Sequence, residues 1–589
     1  MDKKMFLSRR KFFKGAGGMG AAALLSSAVT TLASVTTAEA ATPDMSENVK
    51  AIPPVRPPAK WDHEADVVVI GTGCSGAAAT VSALEHGAKV ITIEKTAIWG
   101  GHSQYSMIFA GTGEDPKKVM DPNNNLYMTA FHTRARNVLL DSIIAKRMYG
   151  SDGELVPSGP NDNDSTIKWL VNMGVKHTDQ FTLIPNKLLL APIDPDFKPA
   201  EPTEFEKSIS AMLNNMYGST QAMTQNWYSW FPYNARAYPY ATQKRAMELG
   251  AKVMYSAKVV ALVKSGDAIV GVKVQKEDGT VIFIKAPSVV LCTGGYMANR
   301  DMIKHYWDAR RVQDINRYCG LSSATGDGIR MAQGLGAAVN SLDEEGEIWD
   351  GGAQDPTLPN GPRSFYSAAN QLSRQATLTV NKSGKRFFNE SAVLGTEFFY
   401  RAKQKNSQQD ATCFTIFDST MITPEAIVEK FFPILCEFPC PWFKKDFKRQ
   451  LAAGIIQKAD TIGELANLMG VDIATFGNTV KRYNGFCAAT DAANGVTGDT
   501  DFYKSANSMF PIEKPPFYFV KGVGGSIIST HGGLEVDADS MQVVTTERKP
   551  INGLYAAGEL LAFEAGVAAG TTSGRYAGEL AAKKALGQV

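Results

Sequence analysis

The most informative stretch of this sequence is Ala65-Asp66-Val67-Val68-Val69-Ile70-Gly71-Thr72-Gly73-Cys74-Ser75-Gly76. Its first half is a continuous apolar and mostly β-branched run, which is typical of a strand buried on both faces of a parallel sheet. The glycines follow directly, an Ala-rich segment continues to about His86, and a second apolar run, Lys89 to Ile93, ends at Glu94. The pattern predicts a strand–turn–helix–strand unit.

The spacing of the three glycines predicts a dinucleotide site in that unit. Gly71 permits a tight turn, Gly73 lets a pyrophosphate approach the backbone, and Gly76 lets the helix pack against the strand. The helix N-terminus offers free N–H groups and the positive end of its dipole to phosphates. Glu94 follows Gly73 by 21 residues and is placed to accept hydrogen bonds from ribose hydroxyls and to repel a 2′-phosphate.

The patterning changes twice along the rest of the chain. Residues 259–263, 269–274 and 281–284 alternate with period two between short turns, which predicts a three-stranded meander. A further buried strand, Ser288 to Cys292, ends at two glycines. Residues from about 349 to 521 lose the parallel-sheet pattern, and it returns at residues 553–559. No internal repeat is found.

The first forty residues predict an export signal. Ser8-Arg9-Arg10-Lys11-Phe12-Phe13-Lys14 is a twin-arginine motif, an Ala/Gly-rich stretch follows from Ala16 to about Leu32, and Ala38-Glu39-Ala40 supplies a cleavage site. A membrane anchor is the alternative, which the scarcity of large apolar residues disfavours. Because this export route carries folded proteins, the signal also predicts a bound cofactor. Residues 41–62 form a Pro-rich linker.

Composition and charge exclude several classes of protein. The 589 residues are 44% hydrophobic and 20% charged, as in an ordinary globular chain. Residues 1–40 hold six of the 61 Lys and Arg and two of the 59 Asp and Glu, so the remainder has 55 basic and 57 acidic residues, a net charge of −2. No basic field argues for nucleic acid or anionic lipid.

The seven cysteines show no metal-ligand spacing and no Cys-x-x-Cys-His haem motif, so no metal site is expected. Cys436 and Cys440 flank Glu-Phe-Pro; a disulfide between them and isolated buried thiols both remain open.

Several motifs, in this order and spacing, resemble the fumarate reductase/succinate dehydrogenase flavoprotein superfamily. The similarity is to its soluble, exported FAD subunits of the flavocytochrome type, here without a haem domain. The motifs are the glycine fingerprint with Glu94-Lys95, Gly100-Gly101, the Thr-Gly-Asp-Gly run at 325–328, residues 380–390, residues 416–418, Arg482-Tyr483-Asn484, residues 530–534 and residues 553–559.

The resemblance implies an α/β fold in which a Rossmann-like FAD-binding domain, a parallel sheet plus the β-meander, is interrupted by an inserted α+β capping domain. The expected organisation is a signal peptide at 1–40, a linker at 41–62, the first part of the FAD-binding domain at 63–348, a capping and substrate domain at 349–521, and the second part of the FAD-binding domain at 522–589.

FAD contacts are implied for thirteen residues: Gly71, Gly73, Ser75, Gly76, Glu94, Lys95, Gly101, His102, Ser103, Gly111, Val259, Asp327 and Glu559. Val259 stands where the backbone of related proteins meets the adenine. His102 stands where soluble members often carry Asn, whereas membrane-bound relatives attach FAD covalently through a His in this neighbourhood. A covalent bond and a hydrogen bond to the flavin or a phosphate both remain open.

The sequence departs from the dicarboxylate reductases of the superfamily on the substrate side. Ile422 replaces their proton-donating Arg, and their His-His-Thr-Met-Gly-Gly run reads Ile528-Ser529-Thr530-His531-Gly532-Gly533. Asp355 replaces a His, and Arg575 alone is expected to keep its place. Because a fumarate site needs several cations converging on two carboxylates, fumarate is disfavoured.

Four residues are candidates for catalysis, each with a structural alternative. Arg575 would bind a substrate carboxylate or carbonyl, or else serve packing. His531 would donate a hydrogen bond to the flavin or to an enolate oxygen, or be a core histidine. Glu390, with Arg386, would relay protons or form a strand-end salt bridge, and Asp355 would line the substrate site. An aromatic segment from Trp227 to Tyr240 would wall an apolar pocket and supply a Tyr as acid, or be ordinary core and surface aromatics.

The function predicted from these residues is the reduction of an activated C=C bond of an unsaturated acid or enone by flavin hydride transfer. The alternatives are dehydrogenation of the ketosteroid-dehydrogenase type and a non-catalytic flavin electron carrier. Because no haem domain is fused, the electrons would come from a separate cytochrome, quinol dehydrogenase or flavin-bearing protein.

Overall fold

A ten-stranded sheet contains the predicted dinucleotide unit. The computed structural model describes residues 46–105, 138–149, 158–159, 161–175, 237–307, 317–318, 321–343, 347–349, 368–373, 377–391, 396–422, 443–523, 526–562 and 566–588. The strands of the sheet are β1 (His63–Glu64), β2 (Val67–Ile70), β3 (Val90–Ile93), β4 (Lys252–Met254), β5 (Ala257–Ser265), β6 (Ala268–Lys276), β7 (Val281–Lys285), β8 (Ser288–Leu291), β18 (Gln542–Val544) and β19 (Pro550–Ala556). Their order is β1-β7-β6-β19-β8-β2-β3-β4, with β18 paired to β19 and β5 to β6.

The predicted strand–turn–helix–strand unit is confirmed. All four residues of β2 are buried, helix α1 (Cys74–Glu85) follows the glycine turn, and β3 returns parallel to β2 with Val67 opposite Val90. Strand β8 pairs in parallel with the other edge of β2. The chain therefore continues from β2 to β3 on one side and later places β8 on the other side of β2. In α/β sheets, ligands bind outside the carboxyl ends of the strands at such a point.

The predicted meander is also confirmed. Strands β5, β6 and β7 are antiparallel neighbours, and each is longer than the alternating pattern indicated. A bulge between Val259 and Ala261 shifts the β5–β6 register. The backbone N–H groups of Ser256 and Ala257 donate to the carbonyls of Thr96 and Glu94, so the start of β5 lies against the loop after β3.

The other described strands form three smaller sheets. They are β9 (Arg317–Tyr318), β10 (Val339–Asn340), β11 (Glu347–Trp349), β12 (Thr379–Asn381), β13 (Thr412–Phe417), β14 (Ile456–Ala459), β15 (Phe517–Val523), β16 (Ser526–Ser529) and β17 (Gly533–Leu534). Their orders are β10-β17, β11-β16-β9 and β12-β13-β15-β14.

Eleven further helices complete the described elements: α2 (Val138–Tyr149), α3 (Thr166–Asn172), α4 (Ala237–Glu248), α5 (Arg300–Tyr306), α6 (Asp327–Gln333), α7 (Ala368–Ser373), α8 (Thr396–Asn406), α9 (Phe443–Ala452), α10 (Ile462–Met469), α11 (Ile473–Ala488) and α12 (Val567–Ala585). Short 3-10 turns lie at Gly101–Tyr105, Gln409–Ala411, Ala492–Asn494 and Ala506–Ser508. Within the described ranges, no helix has the combination of length and apolar character needed to cross a bilayer.

The described residues form two hydrophobic cores. The larger surrounds the ten-stranded sheet, and the smaller is built from residues between Ala368 and Val520, around the sheet that contains β13 and β15. The smaller core falls inside the interval predicted as the capping domain. The boundaries at 40, 62, 348 and 521 stay predictions.

Helix α12 packs closely along α1 through a row of glycines. A Cβ at Gly574 would lie 2.1 Å from the Ser75 carbonyl oxygen, and a Cβ at Gly578 would lie 2.4 Å from that of Ala79. Only glycine allows the two backbones this approach. The contact brings residues 558–559, which precede α12, beside the glycine turn.

Candidate functional site

Two of the three fingerprint glycines are required by the protein's own packing. Gly71 has φ of +102°, and a Cβ there would lie 2.3 Å from the Cys292 carbonyl oxygen. A Cβ at Gly76 would lie 2.0 Å from the Gly71 carbonyl oxygen. These positions fix the turn against β8 and the helix against the turn, as the fingerprint predicts.

Gly73 differs, because its surroundings leave room. Its φ of −60° suits any residue, and the nearest protein atom to a Cβ there is Ser103 Oγ, at 3.8 Å. The Ser103 hydroxyl accepts a hydrogen bond of 2.7 Å from the Cys74 N–H in the first turn of α1. The other first-turn N–H groups of α1 are directed along the helix axis toward the same side. This space and these donors fit a pyrophosphate.

Glu94 joins the turn after β2 to the loop after β3. Its buried carboxylate accepts four hydrogen bonds of 2.8–2.9 Å, from the N–H and hydroxyl of Thr72 and the N–H and hydroxyl of Thr96. A carboxylate offers about four acceptor positions. Ribose hydroxyls at this site would therefore donate to Glu94 oxygens that already accept hydrogen bonds from Thr72 and Thr96.

A second polar cluster lies at the start of α6. Asp327 accepts from Lys95 Nζ at 2.9 Å and pairs with Lys258 Nζ at 3.1 Å, while Thr325 Oγ1 accepts from Lys95 at 2.8 Å. Burial would raise the pKa of Asp327, but the two ammonium groups outweigh burial and the pKa lies below its usual range. Val259 follows Lys258 in β5, so Lys95, Val259 and Asp327, all implied FAD contacts, lie together.

Glu559 forms a third part of the site, beside the amino end of α1. One of its carboxylate oxygens accepts from the Thr530 N–H at 3.0 Å. A Cβ at Gly295 would lie 2.8 Å from the same oxygen. Burial raises the pKa of Cys74, in the first turn of α1, to about 11, and the Glu559 charge adds to this. Gly558 approaches Ser75, since a Cβ at Gly558 would lie 2.4 Å from Ser75 Oγ.

Gly101 and His102 border the glycine turn in the 3-10 turn Gly101–Tyr105. Gly101 has φ of +49°, and a Cβ there would lie 3.1 Å from Gly73 Cα. Burial lowers the pKa of His102 to about 4, so its imidazole is neutral at pH 7 and offers one donor and one acceptor. The two alternatives for this ring, a covalent bond to FAD and a hydrogen bond to the flavin or a phosphate, stay predictions. Gly111 lies outside the described residues.

His531 is only 4% exposed, and the backbone that follows it is closely packed. It follows Thr530, whose N–H is bonded to Glu559, and precedes two glycines in tight contacts. A Cβ at Gly532 would lie 2.2 Å from the Ser341 carbonyl oxygen, and one at Gly533 would lie 2.1 Å from that of Leu560. His531 therefore occupies a fixed position next to the Glu559 part of the site.

Arg575 makes contacts that fit its structural alternative. Its guanidinium donates to the Asn163 carbonyl at 2.5 Å and lies 5.1 Å from the Trp169 ring. The Trp169 indole donates to Glu85, the last residue of α1. Burial lowers the pKa of Arg575 to about 10.

Of the two interpretations of Arg575, the packing contact is present, since its planar donor group packs α3 against α12. A substrate-binding role for this residue stays a prediction. Asp355 and residues 227–236 of the aromatic segment lie outside the described residues, so their expected roles stay predictions.

Glu390 belongs to a buried ion cluster. Both of its oxygens accept from Arg386, at 2.7 and 2.9 Å, and Arg386 also donates to both oxygens of Asp499 at 2.8 and 3.1 Å. The Lys504 ammonium lies 3.9 Å from Glu390 and donates to the Tyr483 hydroxyl at 2.7 Å. Burial lowers the pKa of Lys504 to about 8, against the raising effect of Glu390. Of the two interpretations of Glu390, the salt bridge is present; a proton relay through it stays a prediction.

Loss of Arg386 is expected to destabilise this cluster severely. Arg386→Met would leave Glu390 and Asp499, both 0% exposed, without their main partner. Removing one partner of a buried ion pair lowers the free energy of unfolding by about 3 kcal/mol or more. Equilibrium urea unfolding measures the effect. The matched control is Arg482→Met, whose pair with Asp501 is exposed and should cost less than about 1 kcal/mol. Equal losses in the two variants would contradict the assignment.

Sequence reasoning missed the partners that complete these clusters. Asp499 and Lys504 are polar residues without a motif, and Asp499 is 113 positions from Arg386. The carboxylates of Glu94 and Glu559 accept hydrogen bonds from Thr72, Thr96 and Thr530. These threonines could have been predicted from the sequence, because each lies within two residues of a motif residue.

The model of the FAD binding domain family matches residues 66–574. The chain belongs to this family, and its cofactor is FAD. Together with the relatives below, the match places the chain in the fumarate reductase/succinate dehydrogenase flavoprotein superfamily of FAD-dependent oxidoreductases, as the motifs predicted.

Three curated relatives match along most of their lengths. A vinyl phenol reductase of Lactiplantibacillus plantarum is 27% identical over 511 residues, which covers 84% of this chain and 89% of that protein. A probable fumarate reductase of Shewanella frigidimarina is 26% identical and covers 88% and 75%. A 3-oxosteroid 1-dehydrogenase of Mycobacterium tuberculosis is 26% identical and covers 85% and 93%.

Among solved structures, the open conformation of a flavocytochrome c3 fumarate reductase is 23% identical, with a TM-score of 0.59 over 90% of this chain and 80% of that one. At this identity the likeness shows a shared fold, which confirms the predicted α/β class.

Proposed function

We propose that this protein reduces an activated C=C bond of an unsaturated organic acid or enone. The observation that carries the proposal is a contrast between the two sides of the site. The glycine turn, Glu94, the Lys95–Asp327 pair and Glu559 form a supported FAD site, whereas an apolar residue, Ile422, replaces a substrate-side cation. The names of the relatives, a vinyl phenol reductase and a probable fumarate reductase, support a reductase of C=C bonds.

The residues of the chain hold and orient the reacting groups. When bound, FAD supplies hydride chemistry. His531, buried and fixed beside Thr530 and Glu559, is the described side chain best placed to donate a hydrogen bond to a substrate oxygen at which negative charge develops. The close backbone contacts at Gly532 and Gly533 favour this role, because a preorganised donor needs no reorganisation during the reaction.

Ile422 supports a substrate with at most one carboxylate. It is half-buried and packs against the smaller core. An isoleucine neither pairs with a carboxylate nor donates a proton. The acid that protonates the substrate carbon is therefore a different group. We assign this role to a tyrosine of the aromatic segment between Trp227 and Tyr240.

Replacement of His531 tests the proposal. The holoprotein is reduced with a viologen dye and offered enoates, aryl acrylates and enones, and dye oxidation identifies the substrates that are reduced. With the best of these, His531→Gln is expected to lower kcat by about a hundredfold, with little change in KM, because the oxygen is held more tightly in the transition state than in the ground state. FAD content should stay at the wild-type level.

His63→Gln is the matched control, since His63 is exposed on β1. An unchanged kcat in His531→Gln would show that this histidine is a core residue only. Failure of every unsaturated compound to reoxidise the reduced protein would overturn the reductase itself and favour the electron carrier.

Dehydrogenation is the second candidate, favoured by the likeness to a 3-oxosteroid 1-dehydrogenase. The oxidised holoprotein would then convert a saturated 3-oxosteroid to its enone in the presence of an acceptor dye. Turnover in this direction with no reduction of enoates or enones would replace the first proposal.

The proposal includes export and an external electron source. The twin-arginine motif and the cleavage site in residues 1–40 support export to the periplasm or cell envelope. A separate cytochrome, quinol dehydrogenase or flavin-bearing protein would supply electrons. Replacing Arg9 and Arg10 by Lys in the expressed precursor, with cell fractionation, tests the route.

A further inference from the structure

Residues 47–55, part of the predicted linker, are built into the FAD-binding part of the fold. We call them the strap. At its carboxyl end, Val55 extends the sheet at β5: its N–H donates to the Leu262 carbonyl at 2.9 Å and its carbonyl accepts from the Lys264 N–H at 2.9 Å. Val49, near its other end, is 4% exposed in the larger core. The strap is thus anchored at both ends.

The middle of the strap lies on helix α6, which begins at Asp327. The Ile52 N–H donates to the Arg330 carbonyl at 2.9 Å, and Arg330 Nε donates to the Lys50 carbonyl at 2.9 Å. The Ile52 carbonyl approaches Gly334 so closely that a Cβ at Gly334 would lie 2.0 Å from its oxygen. These contacts fix the strap along the element that carries the implied FAD residue Asp327.

Asn299 links the strap to the polar cluster. Its side-chain amide donates to the Asn48 carbonyl at 2.8 Å and to the Thr325 carbonyl at 3.0 Å. Thr325 in turn accepts from Lys95. A continuous set of hydrogen bonds therefore runs from the strap backbone to the Lys95–Asp327 pair.

The strap also borders a cleft at this cluster. The cleft has a volume of about 290 Å³, and Asn48 lines it together with Lys258, Thr325 and Asp327. Lys258 precedes Val259, and the resemblance of this sequence to the flavoprotein superfamily implies that the adenine lies at Val259. The cleft therefore adjoins the expected position of the adenosine half of FAD.

We propose that the strap forms the outer wall of the adenosine end of the FAD site and determines how long FAD stays bound. The proposal rests on FAD binding and on the implied adenine position at Val259. If FAD leaves through this end, its release requires the strap to detach from α6. Contacts that hold the strap then slow dissociation even where they do not touch FAD, since affinity differences are expressed mainly in dissociation rates.

Gly334→Ala is the direct test, because it targets the strap alone. Gly334 has φ of −63°, which suits alanine, and the clashing atoms belong to Ile52 and Pro53. The variant is expected to raise the FAD dissociation rate by about tenfold. Recovery of flavin fluorescence after dilution of the full-length holoprotein measures the rate. Faster tryptic cleavage after Lys50 reports that the strap has detached.

A second variant and a control keep the test decisive. Arg330→Gln removes the donors to the Lys50 and Glu47 carbonyls and should also raise the FAD dissociation rate. This variant tests the proposal even if Gly334→Ala does not fold. Gly477→Ala, within α11 and with no protein atom within 4 Å of its added Cβ, should release FAD at the wild-type rate. Faster cleavage of the strap with FAD dissociation within about twofold of wild type would overturn the proposal, because the strap would then open without releasing FAD.

Discussion

Replacing Gly73 by valine is expected to give a folded protein that carries no FAD. The backbone at Gly73 has φ of −60°, which valine adopts without strain, and no protein atom lies closer than 3.8 Å to the added Cβ. The valine methyl groups would instead occupy the space between Ser103 and the amino end of α1. A pyrophosphate must approach the backbone at this point, and only glycine permits that approach.

The expected measurement is flavin absorbance per polypeptide after purification, with circular dichroism to verify the fold. Gly73→Val should lose essentially all flavin while keeping the wild-type far-ultraviolet spectrum. Gly76→Val should misfold instead, because its Cβ would lie 2.0 Å from the Gly71 carbonyl oxygen. Gly485→Val, with open space around its Cβ, should retain FAD. A normally flavinated Gly73→Val protein would contradict the site.

Fumarate is expected to be a poor substrate, by roughly a thousandfold relative to a compound with one carboxylate. A dicarboxylate needs cations for both of its charged groups, and an unpaired buried charge costs several kcal/mol. Ile422 supplies no cation, and Arg575 is engaged by Asn163 and Trp169. Each 1.4 kcal/mol corresponds to about tenfold in rate or affinity, so about three such steps give the expected ratio.

The packing contacts of Arg575 support this expectation. The sequence alone left one cation to orient one carboxylate. With that guanidinium engaged by Asn163 and Trp169, our proposal assigns the substrate oxygen to His531. A neutral or singly charged oxygen, such as that of an enone or an aryl acrylate, suits one imidazole donor better than two carboxylates do.

The sequence predicted those parts of the fold in which local pattern and tertiary contacts agree. Strand β2 is apolar throughout because both of its faces are buried, and the period-two runs became β5, β6 and β7. The positions of Glu94 and Asp327 were predictable as well, because each side chain acts next to the turn or helix start that defines its motif.

The rest of the site depends on contacts between distant segments, which a linear pattern does not contain. Arg575 follows a glycine that packs on α1, but its own side chain is directed to Asn163, 412 positions away. The spacing around Arg575 indicates a helix and does not indicate which neighbour its side chain meets. Glu390 likewise finds Arg386 four positions away, whereas the Lys504 that completes its cluster comes from a separate segment.

The most direct test of this account is kcat/KM of the viologen-reduced holoprotein for an aryl acrylate and for fumarate, measured under the same conditions. We expect efficient reduction of the aryl acrylate and a value for fumarate lower by roughly a thousandfold. A kcat/KM for fumarate equal to or above that for the aryl acrylate would contradict the proposed substrate class, because fumarate needs cations for both carboxylates and Ile422 and one histidine do not supply them.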